Sequence, residues 1–301
     1  MTGWPEPGTR VTVRYRRAPG EVPPLTDAVG HLLAVEPVVR VRTKTGAVVE
    51  FAPENVVALR VLTDAPVRTS QIRALEHAAA KGWPGVEHTW LDGWLLRAAP
   101  GAGLTSNSAV PLDISAETKT LPAIADWYRR RGLTPRLAIP DRTLPPPPGL
   151  TAQRAEHVLV RDVSDMAAGE PAPSVALSAR PDDAWLRTSR CGSPAEPLVA
   201  VIDGELRFGA QPGAAARAAV TDARDGTRWV GLWVPAAGDP TAAHRVCEAL
   251  LAWGAGRGAT RGYVAVADGD AAGRAVAGAL GFRPHHRRRY FAARDDDGAT
   301  V

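Results

Sequence analysis

Trp229-Val230-Gly231-Leu232-Trp233-Val234, then Val246-Cys247-Glu248-Ala249-Leu250-Leu251-Ala252-Trp253, then Tyr263-Val264-Ala265-Val266, then Ala279-Leu280-Gly281-Phe282 decide how this chain is read. The first run is aromatic and β-branched and predicts a strand over 228–234. Ala243, Val246, Leu250 and Trp253 recur at helical spacing, with Ala249 beside them, and predict a helix from about Pro240 to Arg257. Residues 263–266 predict a strand, and 271–280 a helix stopped by Gly281. Tyr290-Phe291-Ala292 predicts a last strand, followed by a polar tail from Arg294.

Upstream, Val158-Leu159-Val160 predicts a strand, and Pro181-Asp182-Asp183 opens a helix, with Pro181 suited to its first turn. Leu198–Ile202 and Arg217–Thr221 predict further strands, and Ala167–Pro173 a loop. Between 70 and 139, Ser70 is expected to cap a helix carrying Ile72, Leu75 and Ala79. Trp94–Arg97 and Ser108–Leu112 form paired strands in this reading. Leu121, Ile124, Trp127 and Tyr128 share a helical face that ends at Gly132, and Arg136–Ile139 is a strand. The motif Trp127-x4-Gly132-Leu133-Thr134 echoes Trp253-x4-Gly258-Ala259-Thr260, with Arg131 matching Arg257, which suggests that two related units recur along the chain. Pro145–Gly149 is a stiff linker. Over 8–62, five short alternating runs beginning with Val11–Tyr15 predict a small barrel of SH3-like type, closed by Asp64-Ala65-Pro66. The expected division is therefore 1–65, 66–150 and 151–301, and the expected class is mixed α+β.

The 301 residues suit two or three domains. Two cysteines, Cys191 and Cys247, build neither a disulfide framework nor a zinc site. No apolar run approaches the roughly 18 residues of a membrane span. Met1–Arg10 has no apolar core of the signal-peptide kind, so the cytoplasm is expected. The net charge of +4 is modest, and only Lys44, Lys81 and Lys119 among 36 basic residues are lysines, which points to a compositional bias toward arginine. The one basic run, His285-His286-Arg287-Arg288-Arg289, is expected to be a solvated strand edge rather than a nucleic-acid contact. Its two histidines, adjacent on a strand, are expected to face opposite sides and to share no metal.

The order of strand, helix, strand, helix, Leu280-Gly281-Phe282 and strand resembles the acetyl-CoA-binding half of a GNAT (GCN5-related N-acetyltransferase) domain. Pro7-Gly8-Thr9-Arg10-Val11, Thr26-Asp27 and Gly30 resemble the start of an SH3-like barrel attached to one multi-domain GNAT family. Trp83-Pro84, Gly93–Arg97 and Asn107-Ser108 resemble the middle region of that family. The resemblance implies a tandem GNAT-like region with a mixed central sheet. It also implies an acetyl-CoA-dependent N-acetyltransferase that acts on an amine carried by a small molecule or a protein.

By the same resemblance, the backbone of Leu232, Trp233 and Val234 holds the pantetheine arm. The diphosphate loop and helix start fall on Gly238, Thr241, Ala242, Ala243, His244 and Arg245, where backbone amides and the helix dipole attract an anion. Asn107 and Ser108 are the candidates for a substrate pocket. The sequence departs from the family at several of these positions. Gly238 stands where an Arg or Gln is usual, Thr241 where a Gly is, Ala277 where a proton-donating Tyr is, and Asp270 where an Asn is. Asp239-Pro240 is itself a good helix cap and first residue. Two readings therefore stand side by side. In one, Thr241, His244 and Arg245 bind the diphosphate in a modified way. In the other, the helix has been re-capped and the chain is a GNAT-like binding protein without acyl-CoA. No catalytic residue is assigned. Tyr263 and Tyr290 could replace the missing tyrosine, though each also reads as a packed strand residue. Asp182 and Asp183 read as helix caps, His157 as structural and Glu205 as an exposed turn residue.

Overall fold

The computed structural model describes residues 4–5, 7–43, 45–62, 67–147, 150, 152–164, 166, 174–189, 195–234 and 238–292. Asp64-Ala65-Pro66, Pro148-Gly149, the loop at 167–173, Cys191 and the tail from Arg294 lie outside the described residues. The chain divides into two compact units, Met1–Val67 and Arg68–Val301.

The first unit contains β1 (Arg10–Arg16), β2 (Leu25–Ala34), β3 (Val39–Thr43), β4 (Val48–Phe51) and β5 (Val56–Val61). They form an antiparallel sheet in the order β4-β3-β2-β1-β5. The alternation seen in the sequence explains its core. Val11 and Val13 of β1, Val39 and Val41 of β3, and Ala28 and Leu32 of β2 all point inward. Phe51 closes one end by stacking on Tyr15, centroids 4.0 Å apart.

The second unit opens with α1 (Thr69–Gly82), β6 (Glu87–Leu91), β7 (Trp94–Ala98), β8 (Val110–Pro111), α2 (Leu121–Arg129) and β9 (Arg136–Pro140). Ser70 is not the cap of α1: the cap position is Arg68, whose amide donates to Gln71 Oε1 at 2.8 Å. The chain continues through β10 (Ala152–Asp162), β11 (Ala176–Ser178), α3 (Asp183–Ser189), α4 (Ala195–Leu198), β12 (Gly204–Gln211), β13 (Ala214–Asp222) and β14 (Arg228–Trp233). It ends with α5 (Pro240–Gly256), β15 (Arg261–Ala267), α6 (Ala271–Ala279) and β16 (Arg283–Ala292). Asp182 caps α3 by accepting from the Trp185 amide at 2.7 Å.

A sheet in the order β11-β12-β13-β14-β15-β10-β16-β9 runs through this unit, and β14 with β15 is its parallel pair. The three-stranded sheet β6-β7-β8 adjoins it through a parallel bridge between Ala109 and Leu137. The element order thus repeats. An antiparallel meander (β6-β7-β8, then β12-β13-β14) leads into a crossover helix (α2, then α5) and a returning strand (β9, then β15). The echoed motif is the stop signal of both crossover helices. Gly132 and Gly258 hold positive φ of 64° and 84°, which glycine adopts without a Cβ clash. Leu133 donates to Tyr128 O and Ala259 to Gly254 O, at 3.1 and 3.0 Å, the hydrogen bond that closes a left-handed helix end.

Two expectations fail here for identifiable reasons. Leu198–Ile202 is not a strand, because Leu198 ends α4 and the Leu198 and Ala200 carbonyls accept from the buried Arg217 guanidinium at 2.7 and 2.9 Å. A side chain has taken the place of a strand neighbour. The basic run at 285–289 is not a solvated edge either. It lies within β16, between β10 and β9, and His286 and Arg288 are buried. The register shift on β10 at Val158/Leu159 places an extra residue at His285, so the two histidines meet instead of diverging. Their Nδ1 atoms lie 2.8 Å apart.

Arg288 donates to Glu76 Oε2 of α1 at 2.9 Å and to Glu156 Oε2 of β10 at 3.0 Å. Glu76 Oε1 lies 2.7 Å from His286 Nε2, and Tyr290 OH donates to Glu156 Oε2 at 3.1 Å. Burial pushes the Glu76 carboxyl upward, but the Arg288 charge and the bonds from His286 and Arg288 outweigh it, leaving its pKa at about 2. Replacing Glu76 by Gln leaves Arg288 short of one of its two counter-charges. The expected loss is about 3–5 kcal/mol of unfolding free energy in urea denaturation.

Acid stability follows from the same groups. His77 is lowered to about 4 by burial and by Arg224 and Lys81, and His285 to about 4 by burial and by His286. A group whose folded pKa is depressed stabilises the fold above its ordinary pKa and loses that contribution as the pH falls through the folded value. Stability is therefore expected to drop in two overlapping windows, from pH 6.5 to 4 for the histidines and from 4.5 to 2 for Glu76. Urea midpoints measured across pH 7 to 3 check this, and His77→Phe should flatten the upper window only.

Candidate functional site

The parallel pairing of β14 with β15 ends at Leu232 and Val264, although both strands continue. β14 stays bound to β13 through Trp233 and Arg217, while β15 stays bound to β10 through Ala267 and Glu156. The two strands are thus drawn apart at one end, and the backbone groups beyond Leu232 and Val264 face each other across a gap. Gly231 makes the paired part possible, since a Cβ there would meet the Tyr263 ring at 2.2 Å.

A cleft with a cavity volume of about 90 Å³ opens from this gap toward α5 and α6. Leu232 and Val234 line one wall, Ala243 and Cys247 of α5 the next, and Val266 with Ala277 the rest. The walls are mainly apolar, with Phe282 and Asp270 also in the lining. Trp233, pointing to the opposite face as strand geometry requires, lines a second pocket with a cavity volume of about 170 Å³. Trp83, Thr105, Ser106, Arg154 and Glu156 line it as well. One strand end therefore separates an apolar cleft from a pocket of mixed polarity.

At the mouth of the cleft stands the first turn of α5. Asp239 caps it, accepting from the Thr241 amide at 2.9 Å, and Pro240 supplies no amide. Asp239 N donates to Gly213 O at 3.0 Å, which ties this cap to the β12–β13 hairpin. Ala242 is left as the first-turn amide without an acceptor among the described residues.

The nine residues assigned to the donor fall in four places. Leu232, Val234, Gly238 and Ala243 line the cleft. Trp233 lines the pocket behind it. Ala242 is buried in the core, and the Thr241 amide is used by the cap. His244 is half-buried, and Arg245 is exposed with no ion-pair partner among the described residues. Asn107 and Ser108 are buried and engaged. The Asn107 amide exchanges two 2.7 Å bonds with Ala99 and donates to Ala102 O, while Ser108 Oγ accepts from Arg97 at 2.9 Å. They fix the loop whose neighbours Thr105 and Ser106 reach the second pocket.

Ala277 lines the cleft where the resemblance places a tyrosine, and Asp270 caps α6 through the Gly273 amide at 2.8 Å. Tyr263 points to the α1 face and packs with Leu75 and Trp229; burial raises its hydroxyl to about 12. Tyr290 is bound to Glu156, with its hydroxyl also raised, mainly by burial. Burial likewise raises the Cys247 thiol to about 12, which leaves it protonated and unreactive. His157 sits 3.0 Å from Asp268, and Glu205 is exposed on β12. Among the described residues no group of His, Cys, Asp and Glu could hold a metal ion.

Sequence reasoning missed Glu156, Arg154, Thr105 and Ser106. Glu156 shares the inward face of β10 with Val158, and a carboxylate at an inward strand position was the available signal.

Comparison with known proteins adds the family. A family model described as "Probable histone acetyltransferase Rv0428c C-terminal" matches residues 69–291, and one described as "Rv0428c N-terminal Sm-like domain" matches residues 5–60. A Mycobacterium tuberculosis protein named "Probable histone acetyltransferase Rv0428c" is 62% identical over 299 residues, covering 97% of each chain. The solved structure of a GCN5-related N-acetyltransferase from Kribbella flavida is similar in fold, with a TM-score of 0.50 at 15% identity over 78% of this chain and 99% of that one. No helix of the described residues is long and apolar enough to cross a membrane. The chain belongs to the Rv0428c family, whose models match it over residues 5–60 and 69–291, and it shares the fold of a solved GCN5-related N-acetyltransferase.

Proposed function

We propose that this protein transfers an acetyl group from acetyl-CoA to a primary amine at the point where β14 leaves β15. The observation that carries this reading is the divided strand end. Leu232 and Val234 face an apolar cleft, Trp233 faces a pocket of mixed polarity, and the pairing of β14 with β15 ends between them. A thioester arm lying along the gap offers its carbonyl to a nucleophile arriving from the other face. The amine nitrogen forms the new N–C bond, the C–S bond breaks, and CoA departs as a thiolate that is then protonated. An amine that arrives as ammonium first loses one proton to solvent; the neutral amine then attacks and gives up a second, which balances the protonation of the thiolate.

Positioning carries most of this chemistry in our reading, because Ala277 donates no proton and the cleft's thiol, Cys247, is held protonated. Direct transfer is therefore favoured over an acyl-enzyme on Cys247. Ala242 N, His244 and Arg245 are the groups we assign to the diphosphate. A protein lysine is one acceptor consistent with the name of the Mycobacterium tuberculosis relative. The cytoplasm, where acetyl-CoA is available, belongs to the same proposal. So does closure of the N-terminal sheet into an SH3-like barrel, and so does the division of the second unit into 66–150 and 151–301.

One observation favours the second reading, a binding protein without acyl-CoA. The Asp239 carboxylate occupies the Thr241 amide that an anion would use, and it repels a diphosphate. Calorimetric and thermal-shift titration with acetyl-CoA and with CoA separates the two. Micromolar binding is expected, with a matching rise in stability. Asp239→Ser keeps a capping oxygen and removes the charge, and should tighten CoA about fivefold, which corresponds to ~1 kcal/mol. Absence of heat and of any shift at millimolar CoA, in both wild type and Asp239→Ser, would leave the binding-protein reading in place.

A further inference from the structure

We infer that the pocket behind Trp233 recognises an alkylammonium group of the lysine type through Glu156, a residue that no comparison singles out. Its place as the acceptor site rests on the acetyl-transfer reading; its recognition of an amine does not.

The argument begins with the two oxygens of Glu156. Oε2 is saturated, accepting from Arg288 at 3.0 Å and from Tyr290 at 3.1 Å, both donors being buried. Oε1 has one partner among the described residues, Arg154 at 3.3 Å, and the Arg154 side chain is half-exposed. The Glu156 side chain is only 7% exposed, so this carboxylate forms the floor of the pocket and not its rim. A buried carboxylate whose second oxygen is held by one long contact to a solvent-facing arm can exchange that arm for a better-placed cation. Arg288 and Tyr290 fix its orientation from behind, so the exchange needs no movement of the floor.

The walls set the rest of the ligand. Trp83 and Trp233 meet edge to face at 5.7 Å, and Leu198 and Pro197 flank them. Apolar walls above an anionic floor suit an unbranched alkyl chain that ends in a positive charge. An anionic acceptor would meet the Glu156 charge, and a neutral chain would leave Oε1 with Arg154 as before. Thr105 and Ser106 sit at the wall, where they can bond polar groups that the chain carries.

The experiment uses the full chain with ¹⁵N-labelled tryptophan and Nα-acetyl-L-lysine methylamide as the probe. The control is Nα-acetyl-L-norleucine methylamide, the same chain without the ammonium. Indole resonances of Trp83 and Trp233, identified by Trp→Phe variants, report occupancy of this pocket at millimolar affinity. The lysine probe is expected to shift both signals, and the norleucine control to bind at least tenfold more weakly. Glu156→Gln also takes a counter-charge from Arg288, so its fold is checked first by urea denaturation; in the folded variant the lysine probe should bind about 10–100-fold more weakly. Arg154→Ala, a change at an exposed side chain that leaves the fold alone, should tighten it about two- to fivefold.

Equal binding of the two probes, or weaker lysine binding in Arg154→Ala, overturns the inference. The latter would show that Arg154 helps to build the site and does not compete with the ligand for Glu156 Oε1. Repeating the titration with CoA present separates this result from the acetyl-transfer reading. Glu156-dependent lysine binding in a protein that ignores CoA keeps the amine site and removes the transfer. CoA binding without Glu156-dependent lysine binding does the reverse.

Discussion

The Arg288 guanidinium, held inside the second unit between Glu76 and Glu156, is the constraint on which the rest of that unit depends. Burying these charges is costly, and it is tolerated only because each finds partners in good geometry. The consequence is topological. Arg288 is on β16, Glu76 on α1 and Glu156 on β10, so one side chain fixes a helix and two strands in a single arrangement. β10 in turn is bound to β15 through Glu156 and Ala267, next to the place where β15 parts from β14. The charge cluster therefore does more than hold α1 to the sheet. It anchors the strand that pulls β15 away, and it delivers an oriented carboxylate to the pocket on that side.

The opposite end of the gap shows a conflict between two uses of a helix start. The first-turn amides of α5 can be satisfied by the protein or by an anion, and here Asp239 takes the Thr241 amide and Pro240 removes another, leaving the Ala242 amide without an acceptor among the described residues. This gives α5 a fixed beginning, tied to the β12–β13 hairpin, whether or not a ligand is present. The apolar cleft beside it has no such internal substitute. Its lining includes Ala243, Val266 and Ala277, and the last two belong to the packed core as well.

Much of this was legible in the sequence. The strand at 228–234, the helix from 240 and the strand around 263–266 were all read from local pattern, because each is long and periodic enough for its apolar face to show. The stop signals at Gly132 and Gly258 were legible because a left-handed helix end demands a particular residue. Segments whose fate depends on distant partners were not. Leu198–Ile202 looks like a strand until Arg217, from another strand, takes its carbonyls. His286 and Arg288 look solvated until β9 covers the outer edge of β16. Glu156 looks like one more charged residue until Arg288 and Tyr290 are brought to it by a strand more than a hundred residues later. β6 and β12 were missed because Glu87, His88, Glu205 and Arg207 interrupt their apolar pattern.

The two halves of the second unit also explain why only one of them carries the cleft described here. Both run through a meander, a crossover helix and a returning strand, and both stop the helix in the same way. They differ in side-chain volume. The first half places Trp94, Ile124, Trp127 and Tyr128 between its helix and strands, with Phe291 of β16 packed against them, and the Tyr128 hydroxyl donates to Arg97 O at 2.9 Å, closing the interior with a hydrogen bond. The second half places Ala243, Gly273 and Ala277 at the wall facing β14 and β15. Aromatic rings in the first half fill the volume that alanine and glycine leave open in the second, as close packing requires of any interior that is not kept for a ligand. The first half then serves as a buttress, through β9 against β16, for the strand that carries Arg288. The division of labour between a filled half and an open half thus rests on side-chain sizes together with α6, which supplies one wall of the cleft and has no counterpart after β9 among the described residues.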